Sequence, residues 1–361
     1  MQAFVTGGTG FIGRALIQKL IERGYAVRAL ARSAGSAAEL HRMGATFVQG
    51  DLNDPEALRT GMQGCEVVFH VAGWYRLGGR DQEQGERVNV EGTRSVLETA
   101  HALGIPRIVY TSTVAVFGDT HGQLVDESYR MPAGQAFLTE YDRTKWKAHY
   151  EVALPLIERG APVIIVQPGA VVGPGDHSLV SMLMEQFRRG LFPILPGPEL
   201  TLTIAHVDDI AEGHILAAEK GRPGESYILA GPPVSLAEMF EHWAEITGRS
   251  GPLFSIPGRY LRPFAPLMGR LGEVLPIPPL FSRDAVAILE ASYIASAEKA
   301  RRELGWRARP PAESFREALS AMEAGGPPAL LTPEQRRAAG GLALAAAGLL
   351  LAAWLLGRRR R

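Results

Sequence analysis

Cysteine is all but absent. Cys65 is the only one in 361 residues, so no disulfide can close within the chain and no cage of thiolates can hold a metal. That usage fits a reducing compartment. Net charge is absent as well: Lys and Arg number 38, Asp and Glu also 38. Without a basic excess, a zinc spacing or a basic helix in the body of the chain, there is no electrostatic case for a nucleic-acid partner. The N-terminus lacks the basic and apolar regions of a signal peptide and begins with the strand-like Gln2-Ala3-Phe4-Val5-Thr6. The body of the chain is therefore expected in the cytoplasm. Long disorder is excluded by 46% hydrophobic and 21% charged residues, the balance of a folded chain. His70 and His206 stand without further ligands at a metal-binding spacing, so both are read as core polar residues and no metal is expected.

Long apolar runs are missing too, with one exception. Residues 338–356 form an uncharged, Ala- and Leu-rich stretch of 19 residues between Arg336-Arg337 and Arg358 to Arg361. A helix needs about 20 residues to cross a hydrocarbon core. The stretch is read as a transmembrane or membrane-associated helix, reached through a linker at 325–337 that opens Gly325-Gly326-Pro327-Pro328. Arginines on both sides leave its orientation open. The competing reading is an Ala-rich helix packed on the body or on a partner, and a helix lying in the membrane interface is the alternative to one that spans.

The first half alternates short β-rich runs with amphipathic stretches, the mark of βαβ units around a parallel sheet. Six strands are predicted: Ala3 to Thr6, Ala26 to Ala31, Thr46 to Gln49, Cys65 to Val71, Arg107 to Thr111 and Pro162 to Gln167. Helices are predicted at Ile12 to Arg23, Glu86 to Leu103 and Thr139 to Glu158. Right-handed crossovers would wind these into a doubly wound sheet with ligand at the strands' C-terminal edge. Beyond Pro168 the chain turns rich in proline and glycine, as in Pro193-Ile194-Leu195-Pro196-Gly197-Pro198. The expected division is 1–167 for the sheet domain, with a return segment at about 203–218, and 168–324 for a smaller substrate lobe interleaved with it.

Directly after the first strand stands Thr6-Gly7-Gly8-Thr9-Gly10-Phe11-Ile12-Gly13. In this strand-to-helix context Gly7 permits a tight turn, Gly10 lets a pyrophosphate approach backbone amides at the helix N-terminus, and Gly13 permits close helix packing. The motif predicts an α/β Rossmann fold, a doubly wound parallel sheet with a smaller C-terminal substrate lobe and the C-terminal hydrophobic helix. Gly7, Thr9, Gly10, Phe11, Ile12 and Gly13 are the first candidates for cofactor binding. NAD sites usually carry an acidic residue at the end of the second strand. Here the run is Val27-Arg28-Ala29-Leu30-Ala31-Arg32-Ser33, and Arg32 or Arg28 could fork onto a 2′-phosphate. NADP(H) is therefore the preferred cofactor, with NAD(H) as the alternative; plain solvated arginines are the competing reading. Asp51 and Leu52 are expected to flank the adenine, and Val71, Ala72 and Gly73 to border the cofactor backbone.

Tyr141 and Lys145 lie four residues apart, on one face of a helix. A hydride-transfer enzyme must give or take a proton at the substrate oxygen, and a tyrosine of pKa about 10 needs help. A neighbouring ammonium favours the phenolate and can hold ribose hydroxyls, while a hydroxyl from the fifth strand holds the substrate oxygen. Ser112 and Thr113 are the candidates, and strand alternation turns only one of them toward substrate.

The glycine motif, Asp51-Leu52, Val71-Ala72-Gly73, Asn89, Tyr110-Thr111-Ser112-Thr113, Tyr141 with Lys145, Gln167-Pro168-Gly169 and His206-Val207-Asp208-Asp209-Ile210-Ala211 together resemble the extended short-chain dehydrogenase/reductase superfamily, also called the NAD-dependent epimerase/dehydratases. The likeness runs from about Met1 to Met322. It looks closest to the branch of dihydroflavonol reductases, 3β-hydroxysteroid dehydrogenases and so-called hopanoid-associated sugar epimerases. The resemblance implies that Tyr141, Lys145 and Thr113 are catalytic, with Ser112 the neighbouring candidate, and that Pro168 lines the cofactor. It implies that Asn89 bonds backbone, and that Asp208 and Asp209 cap a helix and anchor a loop. It also raises a homodimer through the helices at Glu86 to Leu103 and Thr139 to Glu158.

Nucleotide-sugar relatives typically carry an arginine before their version of His206-Val207-Asp208. This chain has Pro196-Gly197-Pro198-Glu199-Leu200-Thr201-Leu202 there, which disfavours a UDP-sugar unless Arg188 or Arg189 compensates. Trp74, Tyr75, Leu77 and Phe192 are the candidate substrate residues, and such apolar walls suit a lipophilic small molecule. The leading reading is an NADP-dependent enzyme interconverting a ketone and a secondary alcohol on a hydrophobic substrate, with its catalytic domain in the cytoplasm and its tail at a membrane. The alternatives are a sugar epimerase/dehydratase and, from another class, a catalytically silent dinucleotide-sensing scaffold.

Overall fold

The structure is a computed structural model whose described residues are 1–75, 82–260 and 288–324. The chain divides into two units, Met1–Leu319 and Ser320–Arg361. The strands and the candidate site lie in the first. The linker at 325–337, the apolar stretch at 338–356 and Leu77 fall outside the described residues. Among the described residues, no helix is long and apolar enough to cross a membrane.

In chain order the strands are β1 (Gln2–Thr6), β2 (Ala26–Ala31), β3 (Thr46–Gln49), β4 (Val67–His70), β5 (Arg107–Thr111), β6 (Val163–Pro168), β7 (Ala170–Val172), β8 (Ile194–Pro196), β9 (Thr201–His206), β10 (Ser226–Leu229), β11 (Pro233–Ser235), β12 (Phe254–Ile256) and β13 (Ser292–Tyr293). The main sheet has seven strands in the order β10-β6-β5-β4-β1-β2-β3, all parallel. The reversal of direction between β1 and β4 opens a crevice at their C-terminal ends, the place where such sheets bind ligands. Strands β4, β5 and β6 are legible as hydrophobic runs because both faces of the sheet are covered there, whereas the edge strand β3 is largely exposed. In β1, Ala3 and Val5 enter one core while Phe4 enters the other, as a period of two requires.

The seventh strand, β10, is a correction to the count of six. It is four residues long and sits in the proline- and glycine-rich half, where nothing in Ser-Tyr-Ile-Leu distinguishes a strand from a loop. A second sheet orders β11-β9-β13, with β7 also paired to β9, and β8 pairs with β12. Residues 203–218 form the end of β9 and most of the helix Val207–Lys220.

One face of the main sheet is covered by α1 (Phe11–Glu22) and the helix Val207–Lys220, through Leu16, Ile17, Leu20, Ile210 and Ile215. The other face carries the helix Pro55–Met62 and two long helices at 82–102 and 140–158, through Leu58, Val96, Leu97, Ala148 and Ala153. Each long helix contains a π-turn, at Glu86–Glu91 and Ala148–Ala153. Such bulges re-aim side chains near functional sites.

Packing is tight where Gly61 faces Phe4: a Cβ there would fall 2.3 Å from the ring. Gly61→Ala should destabilise the protein by about 1–3 kcal/mol through overpacking, read as a lower urea midpoint. Phe4→Leu in the same chain should restore part of that loss. Unchanged stability in Gly61→Ala would mean that the helix sits farther from the sheet than described.

Candidate active site

The glycine turn after β1 is built by exclusion of side chains. Gly7 adopts φ +74°, and a Cβ on it would lie 2.6 Å from the Ala72 backbone nitrogen. A Cβ on Gly13 would lie 2.0 Å from the Gly7 carbonyl oxygen, so the first turn of α1 rests directly on the loop. Gly8, which sequence reasoning left without a role, is excluded from bearing a side chain by Ile17, 2.6 Å away. Gly10 caps α1 without a side-chain bond, and no acidic residue stands in the helix's first turn. The helix N-terminus therefore presents uncommitted amides and a positive dipole end, which fits a dinucleotide's pyrophosphate. Thr9, Phe11 and Ile12 are half-buried beside it. Val71, Ala72 and Gly73 follow β4 alongside the turn, and the Ala72 amide bonds the Thr6 hydroxyl at 3.4 Å.

Arg28 needs correction. Its guanidinium donates to the Thr60, Gly61 and Gln63 carbonyls at 3.2, 2.9 and 3.2 Å, satisfying the open end of the helix Pro55–Met62. A side chain so committed is not available to a 2′-phosphate. Arg32, at the strand's C-terminal end, is exposed and has no ion-pair or hydrogen-bond partner among the described residues. Ser33 beside it caps the helix Ala34–Arg42, whose first turn also lacks an acid. Asp51 accepts the Asn53 amide at 3.0 Å and faces Arg87. Leu52 is buried, with its side chain 3.0 Å from the Cβ position of Gly92.

At the end of β5 the two hydroxyl candidates part. Ser112 turns inward to His149 Nδ1 at 2.9 Å. Thr113 accepts the Ala115 amide at 3.2 Å and lies close enough to the Tyr141 hydroxyl to lower its pKa. Thr139 caps the helix that carries Tyr141 and Lys145. Asn89 brackets the backbone of Trp74, accepting its N–H at 2.7 Å and donating to its carbonyl at 3.0 Å, and donates also to Thr144 at 2.9 Å. The loop after β4 is thereby tied to the tyrosine helix. Pro168 is buried at the end of β6.

Lys145 is 4% exposed and donates to the Thr111 carbonyl at 2.7 Å and the Tyr110 hydroxyl at 3.4 Å. Burial pulls its pKa down to about 7. The expected lowering of Tyr141 by this ammonium is not present: burial pushes the tyrosine up to about 12, the Thr113 hydrogen bond opposing and Asp142 adding to the rise. Two residues in this region escaped sequence reasoning. The buried Asp142 carboxylate accepts the Tyr293 hydroxyl at 3.0 Å, and no sequence signal connects positions so far apart. Asp142 and its neighbour Asp176 also lie close enough to raise Tyr75.

The substrate candidates separate as well. The Tyr75 ring is 46% exposed and meets Tyr141 edge-on at 4.9 Å. Trp74 is half-buried over Gly85. Phe192, in contrast, packs edge-on against Phe240 at 5.0 Å, in an aromatic core with Phe187, Trp243 and Phe315. It is a structural residue of the lobe. Its two neighbouring cations, Arg188 and Arg189, are both paired with Glu185.

His70 bonds Thr6 at 2.7 Å and Thr93 at 2.9 Å, fully buried. His206, Asp208 and Glu317 do converge. However, His206 Nδ1 accepts the Asp208 amide, which leaves the ring's proton on Nε2, facing Glu317 at 3.3 Å. Arg309 already supplies the cation, 3.0 Å from Glu317 and 2.8 Å from Asp209. The cluster is an ion-pair network that ties the segment around Arg309 to the start of the helix Val207–Lys220.

Lys145→Met should raise the thermal midpoint of the unliganded protein at pH 7. The folded-state pKa of about 7 lies below the ordinary 10.5, so the cost of the buried charge is fully present below about pH 7. It is relieved as pH rises toward 10.5. The midpoint difference between variant and wild type should therefore shrink over that interval; a constant difference would mean that Lys145 is not the titrating group.

With this geometry in view, known proteins align along nearly the whole chain. The model of the NAD dependent epimerase/dehydratase family matches residues 3–230. A 4-hydroxy-2-methyl-3-oxo-4-farnesyl-3,4-dihydroquinoline-1-oxide ketoreductase from Stigmatella aurantiaca is 35% identical over 332 residues, 91% of this chain and 97% of the relative. A 2-alkyl-3-oxoalkanoate reductase from Stenotrophomonas maltophilia (strain K279a) is 32% identical over 337 residues, 90% of this chain and 99% of the relative. The solved structure of gox2253 superposes with a TM-score of 0.78 at 34% identity, covering 90% of this chain and 98% of its own. The chain belongs to the NAD dependent epimerase/dehydratase family, the extended short-chain dehydrogenases/reductases, and is an NAD(P)-dependent enzyme.

Proposed function

We propose that the protein is an NADP-dependent oxidoreductase that interconverts a ketone and a secondary alcohol on a hydrophobic small molecule. The observation that carries this reading is the convergence of Thr113 and Tyr141, close enough for the threonine to lower the tyrosine's pKa, beside the buried Lys145. The Ala115 amide takes one lone pair of Thr113, which leaves the threonine's own hydrogen free to be given to a substrate oxygen. The proton on Tyr141 is left for a substrate oxygen. With burial holding Tyr141 up at about 12, the hydroxyl is protonated at neutral pH, the form that reduction of a carbonyl consumes.

The bound dinucleotide supplies the hydride. The chain's own part is to hold it, through the glycine turn and the α1 amides, with Lys145 toward the nicotinamide ribose and Arg32 with Ser33 at a 2′-phosphate. Thr113 orients the substrate oxygen, and Tyr141 donates to it in reduction and accepts from it in oxidation. The exposed face of Tyr75 and the half-buried Trp74 offer aromatic surface to an apolar substrate.

The lipophilic reading draws support from the two reductases named above, whose names carry a 3-oxo group and a farnesyl or alkyl portion. A nucleotide-sugar epimerase would require a cation for the diphosphate, and Arg188 and Arg189 are engaged by Glu185. The uncharged stretch at 338–356 would bring the enzyme to a membrane in which such substrates dissolve.

Tyr141→Phe should lower turnover of a long-chain 3-oxo ester by about 100-fold or more while leaving NADPH affinity within about twofold. Retained turnover would remove Tyr141 from the chemistry. Arg32→Ser should weaken NADPH by about tenfold, the worth of one charge-assisted contact, and leave NADH unchanged. Arg28→Met should lower thermal stability without moving either affinity. NADPH binding that follows Arg28 instead would overturn the assignment.

A further inference from the structure

Lys145 is buried without a carboxylate partner among the described residues, and the groups that do touch it are all neutral. One of them, Tyr110, has no place in the chemistry above, yet it meets the lysine in two ways. Its hydroxyl accepts from Nζ at 3.4 Å, and Nζ stands 4.9 Å from the centre of its ring. Tyr110 is itself fully buried and anchored on both sides. Thr93 and Ser112 stand close enough to its hydroxyl to lower its pKa against the rise from burial. Thr93 bonds His70, which bonds Thr6 on β1. Ser112 bonds His149 on the tyrosine helix. The His70 ring also stacks on Tyr110, 5.6 Å between centroids.

We propose that Tyr110 is a positioning residue for Lys145, its oxygen and ring face held by the Thr93–His70 and Ser112–His149 pairs so that the lysine stays charged and turned toward the cofactor side. An ammonium in a dry site is stabilised by oriented oxygens and by a ring's negative face. A tyrosine free to rotate would supply neither at a fixed place. The ionisable groups facing Lys145 from the packed elements are His70 on β4, Tyr110 on β5, and His149 and Tyr141 on its own helix. Burial, with Lys145 itself adding, holds His70 at about 3, and burial, Arg130 and Lys145 hold His149 at about 3. Burial first of all keeps both tyrosines high. All four are therefore uncharged at neutral pH, and Tyr110 offers its oxygen to a lysine that meets no competing charge.

The proposal rests on the reading of Lys145 as the group that holds the nicotinamide ribose. Its test is calorimetric titration of wild type, Tyr110→Phe, Thr93→Val and Lys145→Met with NADP across pH, reported as the ratio of each variant's Kd to wild type, in which the ligand's own ionisation cancels. Removing the hydroxyl lowers the lysine pKa further, so the ratio for Tyr110→Phe should be close to one at about pH 5.5. It should rise to about tenfold by about pH 8.5, a shift of about one pH unit. Thr93→Val, which keeps the hydroxyl but frees its orientation, should move the ratio the same way by less. Lys145→Met should have lost the wild type's weakening with rising pH.

A ratio for Tyr110→Phe that is the same at every pH, whether one or larger, overturns the role given to Tyr110. If Tyr110→Phe does not fold, Thr93→Val decides alone, and a flat ratio there overturns it equally. Failure of wild type to bind NADP overturns the cofactor reading and this proposal with it. Wild-type binding with pH-independent Lys145→Met ratios overturns the ribose role of Lys145 while leaving the glycine turn's assignment standing.

Discussion

An ammonium group held at 4% exposure with no carboxylate partner among the described residues is costly to bury, and the architecture around it is the means of bearing that cost. A lone buried charge in a dry medium is paired, neutralised or surrounded by oriented dipoles. Here the second and third act together: burial pulls the lysine's pKa down to about 7, and oriented dipoles hold the charge that remains. The Thr111 carbonyl, exposed because β5 ends there, and Tyr110 one residue earlier supply the oxygens. Both are fixed because β5 lies between β4 and β6 in the main sheet.

The same logic explains the buried histidines. His70, His149 and His214 each take a hydroxyl partner, on Thr6 and Thr93, Ser112, and Thr111 respectively. Burial is the leading cause of their low pKa values, about 3, 3 and 4. They join strands to helices without adding charge next to the lysine. Polar networks of this kind define one arrangement only when every member is satisfied, and Asn89 does the same for the loop after β4. Catalytic placement and core packing are thus one construction: the residues that hold Lys145 and Thr113 also hold the sheet to its helices.

How far the sequence alone reaches depends on whether a signal is local. The six strands of the first half, the glycine turn and the Tyr141–Lys145 pair were legible because each rests on periodicity or on spacing within one turn. Alternation said only that one of Thr113 and Ser112 faces the substrate; the family resemblance picked Thr113, and the partners of neither were legible. Arg28 misled because it shares a strand face with Arg32, and nothing in the string shows that a helix end waits beside it. Phe192 read as pocket because aromatic character does not say which aromatic cluster a ring joins. The failure to foresee a raised Tyr141 has the same root: burial is a tertiary quantity, and it outweighs the neighbouring ammonium that spacing made obvious. Asp142 with Tyr293, separated by 151 positions, has no trace in any local pattern.

That last contact bears on how the molecule comes into being. A ribosome releases the glycine turn first and Tyr141 well before Tyr293 and Arg309. Until the late segments emerge, Asp142 lacks the Tyr293 hydroxyl, Asp209 lacks its guanidinium, and β9 lacks β13. A nascent chain can thus display every residue of the chemical centre while the carboxylate beside the tyrosine still waits for that partner. Completion of the centre waits for the segment that carries Tyr293, and a chain cut short before it would carry the motifs without that contact.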